Sequence, residues 1–158
     1  MPSFERFLVP TDYSDCSREA LRTAVGLAAV LGARVDVVHV WSAPYFGPGY
    51  GSESGALLDP AAHKSLFDLI RDGATEQMRT FVASVTTLPG VTVTTHVESG
   101  EPSRRVLEIA EQSRPDLIVA GTHGRSGPRR WLLGSVAERL VRHAPCPVLT
   151  VPPPGPGG

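Results

Sequence analysis

The sequence predicts a single α/β domain: a doubly wound, five-stranded, mostly parallel sheet with helices on both faces. Three observations carry this. Short β-branched runs alternate with stretches of helical periodicity, the order that lays crossover helices over a parallel sheet. Phe7-Leu8-Val9 and Leu117-Ile118-Val119-Ala120 are continuously apolar, as in strands buried on both faces. Turn chemistry follows each of these two runs, and in such sheets ligands bind beyond the carboxyl ends of the strands, where strand order reverses.

Each element follows in chain order. The first strand spans 4–10, and Thr11-Asp12-Tyr13-Ser14 after it is turn and cap chemistry. A helix over 15–31 repeats Ala20, Leu21, Ala24, Leu27, Ala28 and Leu31 at helical spacing; Ser14 or Ser17 caps it and Gly32 stops it. Residues 35–41 form the second strand, with His39 a satisfied core histidine among apolar neighbours. Residues 42–58 are a long flexible loop rich in Pro and Gly, Gly47-Pro48-Gly49-Tyr50-Gly51 included. Leu66, Ile70, Ala74, Met78, Phe81 and Val85 mark a second helix over 60–85. Residues 91–97 alternate Val and Thr as a third, less buried strand. Gly100-Glu101-Pro102 opens a helix ending near Ser113, ahead of Arg114-Pro115. The fourth strand covers 116–120, the fourth helix 135–143 and the fifth strand 147–151. The domain therefore occupies 1–151, and 152–158 is a disordered Pro/Gly tail.

Length and charge exclude several function classes. The 158 residues suit one domain with a real core, and 15 Lys+Arg against 16 Asp+Glu leave a net charge of -1. That balance argues against a dedicated nucleic-acid binder, whose affinity rests on many phosphate-neutralising cations. No apolar run approaches the roughly 20 residues of a bilayer span, and the first residues do not read as a signal peptide. Cys16 and Cys146 are far apart and fit reduced, partly buried thiols; the expected location is cytoplasmic. His63, His96 and His143 are scattered and make no metal-ligand set.

The second turn carries the chemistry. Gly121 and Gly124 leave the fourth strand, and after nine residues Gly134 precedes Ser135 at a helix start. Glycines let backbone N–H groups approach an anion, and a helix N-terminus offers unpaired N–H groups with a positive dipole end. Arg125, Arg129 and Arg130 add local positive charge, and Trp131 anchors the loop. The segment is neither a P-loop, which needs a Lys before the Ser, nor a Gly-x-Gly-x-x-Gly fingerprint. Ser135-Val136-Ala137-Glu138 also has the form of a capping box, which can coexist with anion binding. Asp12 can cap or order the first turn, accept from ligand hydroxyls, or help hold Mg²⁺ through water.

Gly-x-x-Gly, nine residues and Gly-Ser, followed by Ala-Pro-Cys-Pro-Val-Leu-Thr-Val, resemble the universal stress protein family. Pro10-Thr11-Asp12-Tyr13-Ser14 and Val38-His39-Val40 resemble it too, so that the likeness covers about residues 4–151. The resemblance implies an adenine nucleotide alpha hydrolase-like fold, a homodimer through 147–151, and membership of the ATP-binding branch. It implies that Pro10, Thr11 and Asp12 line the nucleoside and Val40 lies against adenine, with Ala120 and Gly121 continuing that pocket. His123, Gly124, Arg125, Gly134, Ser135 and Val136 would surround ribose and phosphates. ATP, or AMP, ADP or cAMP, is the expected ligand, with Mg²⁺ or Mn²⁺ accompanying the nucleotide.

The expected function is thus a nucleotide-dependent regulatory module in stress response, acting on unidentified protein partners. Two other readings stand beside it: a slow Mg²⁺-dependent ATPase or phosphotransferase, and a nucleotide-free interaction dimer. No catalytic constellation stands out, and Asp12 and His123 are the only local candidates for assisting hydrolysis, which should be slow.

Overall fold

The computed structural model describes residues 4–42, 66–85, 88–123 and 133–155. The elements are β1 (Arg6–Thr11), α1 (Asp15–Leu31), β2 (Arg34–Trp41), α2 (Leu66–Ala83), β3 (Val93–Ser99), α3 (Pro102–Ser113), β4 (Leu117–Gly121), α4 (Ser135–His143) and β5 (Val148–Val151). The five strands form one sheet in the order β3-β2-β1-β4-β5, and every pairing is parallel. Strand order reverses between β1 and β4, the switch point at which the sequence places its two unusual turns.

The two-residue period of the strands divides the core. Phe7, Val9, Val35, Val37 and Val119 face one way and pack with Leu21, Ala24 and Val25 of α1 and Met78 and Phe81 of α2. Leu8, Val38, Val40, Ile118 and Ala120 face the other way, against Val106 and Ala110 of α3 and Leu140 of α4. A central strand covered on both faces needs a continuous apolar run, and Phe7-Leu8-Val9 supplies it.

Several expected boundaries move. β1 begins at Arg6 rather than residue 4 and extends to Thr11. β3 spans Val93–Ser99 rather than 91–97, because Val91 still belongs to the turn: its N–H bonds the Leu88 carbonyl at 3.3 Å, and Gly90 has a φ of 87°. β3 is an edge strand with mostly exposed residues, as its Val/Thr alternation suggested. Helix α2 ends at Ala83, not 85; the expected start at 60 and all of the 42–58 loop except Ser42 lie outside the described residues. In the expected tail, residues 152–155 are exposed, and 156–158 lie outside the description.

Caps and one ion pair fix the frame. Ser14, not Ser17, caps α1 by accepting the Ser17 N–H, and Gly32 closes the helix in the left-handed region at φ 71°. Glu101 caps α3 by accepting the N–H groups of Ser103 and Arg104, with Pro102 in the first turn. Asp36 is buried at 6% exposure, and Arg6 Nε reaches its carboxylate at 2.6 Å while another guanidinium nitrogen donates to the Ser113 carbonyl. Cys16 is a buried free thiol; Cys146 is half-buried, and burial together with the Asp116 carboxylate pushes its thiol pKa up. No helix among the described residues is long and apolar enough to cross a membrane.

Candidate functional site

The switch point is physically open. β1 pairs with β2 as far as Thr11↔His39, and β4 pairs with β5 as far as Gly121↔Val151. Between β1 and β4 the register covers only Phe7↔Leu117 and Leu8↔Ile118, three residues short of the end of each strand. The two central strands therefore part toward their carboxyl ends, which leaves Pro10-Thr11-Asp12 on one bank and Ala120-Gly121-Thr122 on the other. Val40 lies one residue beyond the last β1–β2 pair, 7% exposed on the α3 side of the sheet.

On the first bank, the turn is tightly held. The Asp12 carboxylate accepts from the Ser14 N–H at 3.1 Å and the Ser14 hydroxyl at 2.5 Å, closing an Asx-type turn at the head of α1. Asp12 thus orders the turn, as its residue type allowed, while remaining half-buried rather than enclosed. The Thr11 hydroxyl, on a residue 7% exposed, accepts the Tyr13 N–H at 3.0 Å and shares a proton with Ser17 Oγ at 2.9 Å. The Thr11 hydroxyl is thus committed within the turn. Tyr13 adopts a φ of 66°, in the left-handed region that disfavours a bulky residue. His39 is satisfied but only half-buried: its Nδ1 lies 2.8 Å from the Thr11 carbonyl. A carbonyl only accepts, so Nδ1 carries the proton there.

On the second bank, Thr122 gathers the chain. Its N–H donates to the Val151 carbonyl at 2.9 Å, its carbonyl accepts from Gly134 at 2.6 Å, and its hydroxyl lies 2.8 Å from His123 Nδ1. The Gly134–Thr122 bond sets the start of α4 against the end of β4. Gly121 lies directly on α1, beside Cys16, whose thiol points at the Val151 carbonyl at 3.3 Å. Thr122 carried no signal beyond its place inside the glycine motif, and Cys16, remote from that motif in the chain, carried none.

The capping box expected at Ser135 does not form. Gly134 is the N-cap, with φ -61° and ψ 152°, and no side chain caps the helix. Ser135 is the first helical residue, one position too late for its hydroxyl to reach the third N–H. Glu138 donates its N–H to the Gly134 carbonyl at 2.8 Å, and its carboxylate pairs with Arg142 at 3.0 Å instead of folding back. Ser135, Val136 and Ala137 precede that first intrahelical bond, so their N–H groups have no acceptor within α4. Uncapped N–H groups at the positive end of a helix suit an anionic oxygen. Gly124, Arg125, Arg129, Arg130 and Trp131 lie outside the described residues. Among the described residues no group of three or more His, Cys, Asp or Glu could hold a metal ion.

Comparison with known proteins agrees with this fold. The chain is 35% identical over 153 residues to a universal stress protein of Methanocaldococcus jannaschii, covering 96% of this chain and 84% of that one. It aligns with the structure of UspA from Lactobacillus plantarum at a TM-score of 0.69 and 29% identity, over 94% and 97% of the two chains. Two more distant structures share the fold. One is a universal stress protein in complex with cAMP (TM-score 0.58, 22% identity, 96% and 99% covered). The other is an Arabidopsis thaliana family member with AMP bound (TM-score 0.59, 19% identity, 97% and 94% covered). A model of the universal stress protein family matches residues 3–152, and the chain belongs to that family.

Proposed function

We propose that this protein is of the ATP-binding branch of its family and works in the cytoplasm as a homodimeric, nucleotide-dependent regulatory module that signals to protein partners. The observation that carries the reading is the uncapped start of α4 beside the crevice where β1 and β4 part. The N–H groups of Ser135, Val136 and Ala137 would meet phosphate oxygens, and Gly124 and Arg125 of the motif are further proposed contacts of the phosphates. Pro10, Thr11, Val40, Ala120 and Gly121 would border the adenosine. Asp12, acceptor-only when ionised, would take ribose hydroxyls, and His123 would lie near the ribose and phosphates. AMP and cAMP in distant relatives support an adenine nucleotide as the ligand class. Among the described residues no acidic cluster could hold a metal ion, so Mg²⁺ or Mn²⁺ would arrive on the phosphates. ATP hydrolysis, if present, would be slow, since among the described residues of the crevice Asp12 and His123 are the groups that could orient a water.

The homodimer reading rests on β5. It is a four-residue edge strand with Leu149 37% exposed, and an unpaired edge invites a second strand about a two-fold axis.

The test is identification of any small molecule released from freshly purified protein, followed by calorimetric titration with MgATP. Saturable heat that is lost in Gly124→Val supports the reading. No co-purified nucleotide and no heat at millimolar ATP would leave a nucleotide-free interaction dimer.

A further inference from the structure

Tyr13 is the strained residue of the turn, and its side chain is restrained from outside that turn. Its φ of 66° lies in the left-handed region, which disfavours a bulky L side chain. The backbone is held there by the N–H bond to Thr11 Oγ1. The side chain is held by two other elements. Its ring stacks on His39 of β2 with centroids 4.2 Å apart and meets the edge of Phe81 of α2 at 5.5 Å. Its hydroxyl donates to the Ala74 carbonyl of α2 at 2.9 Å.

That acceptor has a particular place in α2. Ala74 is the first buried position among the described side chains of the helix, followed by Met78 and Phe81, whereas Phe67 and Leu69 before it are exposed. The hydroxyl bond thus marks where the docked half of α2 begins. At its other end, Tyr13 separates Asp12 from Ser14, the two residues that form the turn on the first bank of the crevice. His39 closes the circuit by holding both the Tyr13 ring and the Thr11 carbonyl.

We propose that Tyr13 is a positioning residue that ties docking of α2 to the conformation of the Asp12 turn, so that a ligand held at the turn stabilises α2 and undocking of α2 weakens ligand binding. This inference rests on the nucleotide reading above. If α2 lifts away, Tyr13 loses its acceptor and its Phe81 contact, the left-handed backbone is no longer compensated, and Asp12 moves with it. A ligand that fixes Asp12 opposes the same motion, and linkage makes the coupling reciprocal. A tyrosine that merely filled space would lower global stability without changing how far the ligand's effect reaches.

The experiment is hydrogen exchange on the full chain with and without MgATP, in the wild type and in Tyr13→Phe, which keeps the ring and removes only the hydroxyl bond. In the wild type, MgATP should slow exchange at the start of α1, at the start of α4 and in α2 from Ala74 onward. In Tyr13→Phe, protection at α4 should persist, protection in α2 should be lost, and ATP affinity should fall about fivefold, the scale of one hydrogen bond. Unchanged affinity with unchanged α2 protection in Tyr13→Phe overturns the proposal, as does a wild-type α2 indifferent to bound ATP. If the wild type binds no ATP, the nucleotide reading fails by itself, and the ligand-free proteins then decide the tie. Faster exchange in Tyr13→Phe at both α2 and the head of α1 upholds it; a change in neither, or in α2 alone, refutes it.

Discussion

A Cβ on Gly121 would lie 2.9 Å from the Sγ of Cys16 and 3.0 and 3.1 Å from the Cys16 carbonyl carbon and oxygen. The end of β4 and the first turn of α1 therefore touch through a position where no side chain fits. Gly121→Ala should push α1 off the sheet and cost roughly 1–3 kcal/mol, the range for overpacked sites. Because two of the three contacts are backbone, adding Cys16→Ala should restore only part of the loss. Urea unfolding of the three variants checks both statements; full rescue by Cys16→Ala would assign the contact to the thiol alone.

Ser135 separates helix stability from phosphate binding. It is exposed at the first position of an uncapped helix, so Ser135→Asp should stabilise α4 by roughly 0.3–1 kcal/mol through the helix dipole. The same charge would repel a phosphate at those N–H groups. A raised unfolding midpoint with weakened MgATP binding is the expected pair of results. Undiminished ATP affinity would place the phosphates elsewhere.

Alkaline pH should act through Tyr13. Burial pushes its phenol up from 10.0 to about 12, so the folded state holds the proton more tightly than the unfolded chain. The stability this contributes is present below pH 10, where both states are protonated, and is lost as pH rises from 10 toward 12. Wild type should lose stability across that window more steeply than Tyr13→Phe, with a late tyrosinate absorbance step missing from the variant. Parallel pH–stability curves would contradict the assignment.

The outer edge of β5 can be tested without disturbing the inner one. The carbonyls of Pro147 and Val151 face β4, and strand alternation therefore turns the Thr150 N–H outward. Thr150→Pro removes that donor while sparing the β4 ladder, a substitution edge strands tolerate. Sedimentation should show a dimer in the wild type and a shift to monomer in the variant, with folding retained. A dimer of unchanged strength would move the interface off this edge.

Element order was legible because periodicity encodes burial: the apolar runs became strands, and Ala20, Leu21, Ala24 and Ala28 became the buried face of α1, although Leu27 and Leu31 of the same pattern stay exposed. Boundaries were less so. Val91 has a strand residue's composition, but its N–H is committed to a turn. The capping box expected at Ser135 fails because Ser-x-x-Glu spacing is the same whether the helix begins at Val136, with Ser135 as cap, or at Ser135, where Gly134 takes the cap. Gly121 reads in the sequence as backbone freedom for anion approach, whereas in the fold it is also a packing requirement set by Cys16, 105 positions away in the chain.

By itself the sequence determined the α/β class, the parallel order of strands and the two turns that meet at the switch point, since each depends on local pattern and short-range turn chemistry. Tertiary structure alone decided where β1 and β4 part, which N–H groups at α4 stay uncapped, and that Tyr13 is held left-handed by Ala74 of another helix. These are contacts between residues remote in the chain, and no local propensity encodes a partner that only folding brings near.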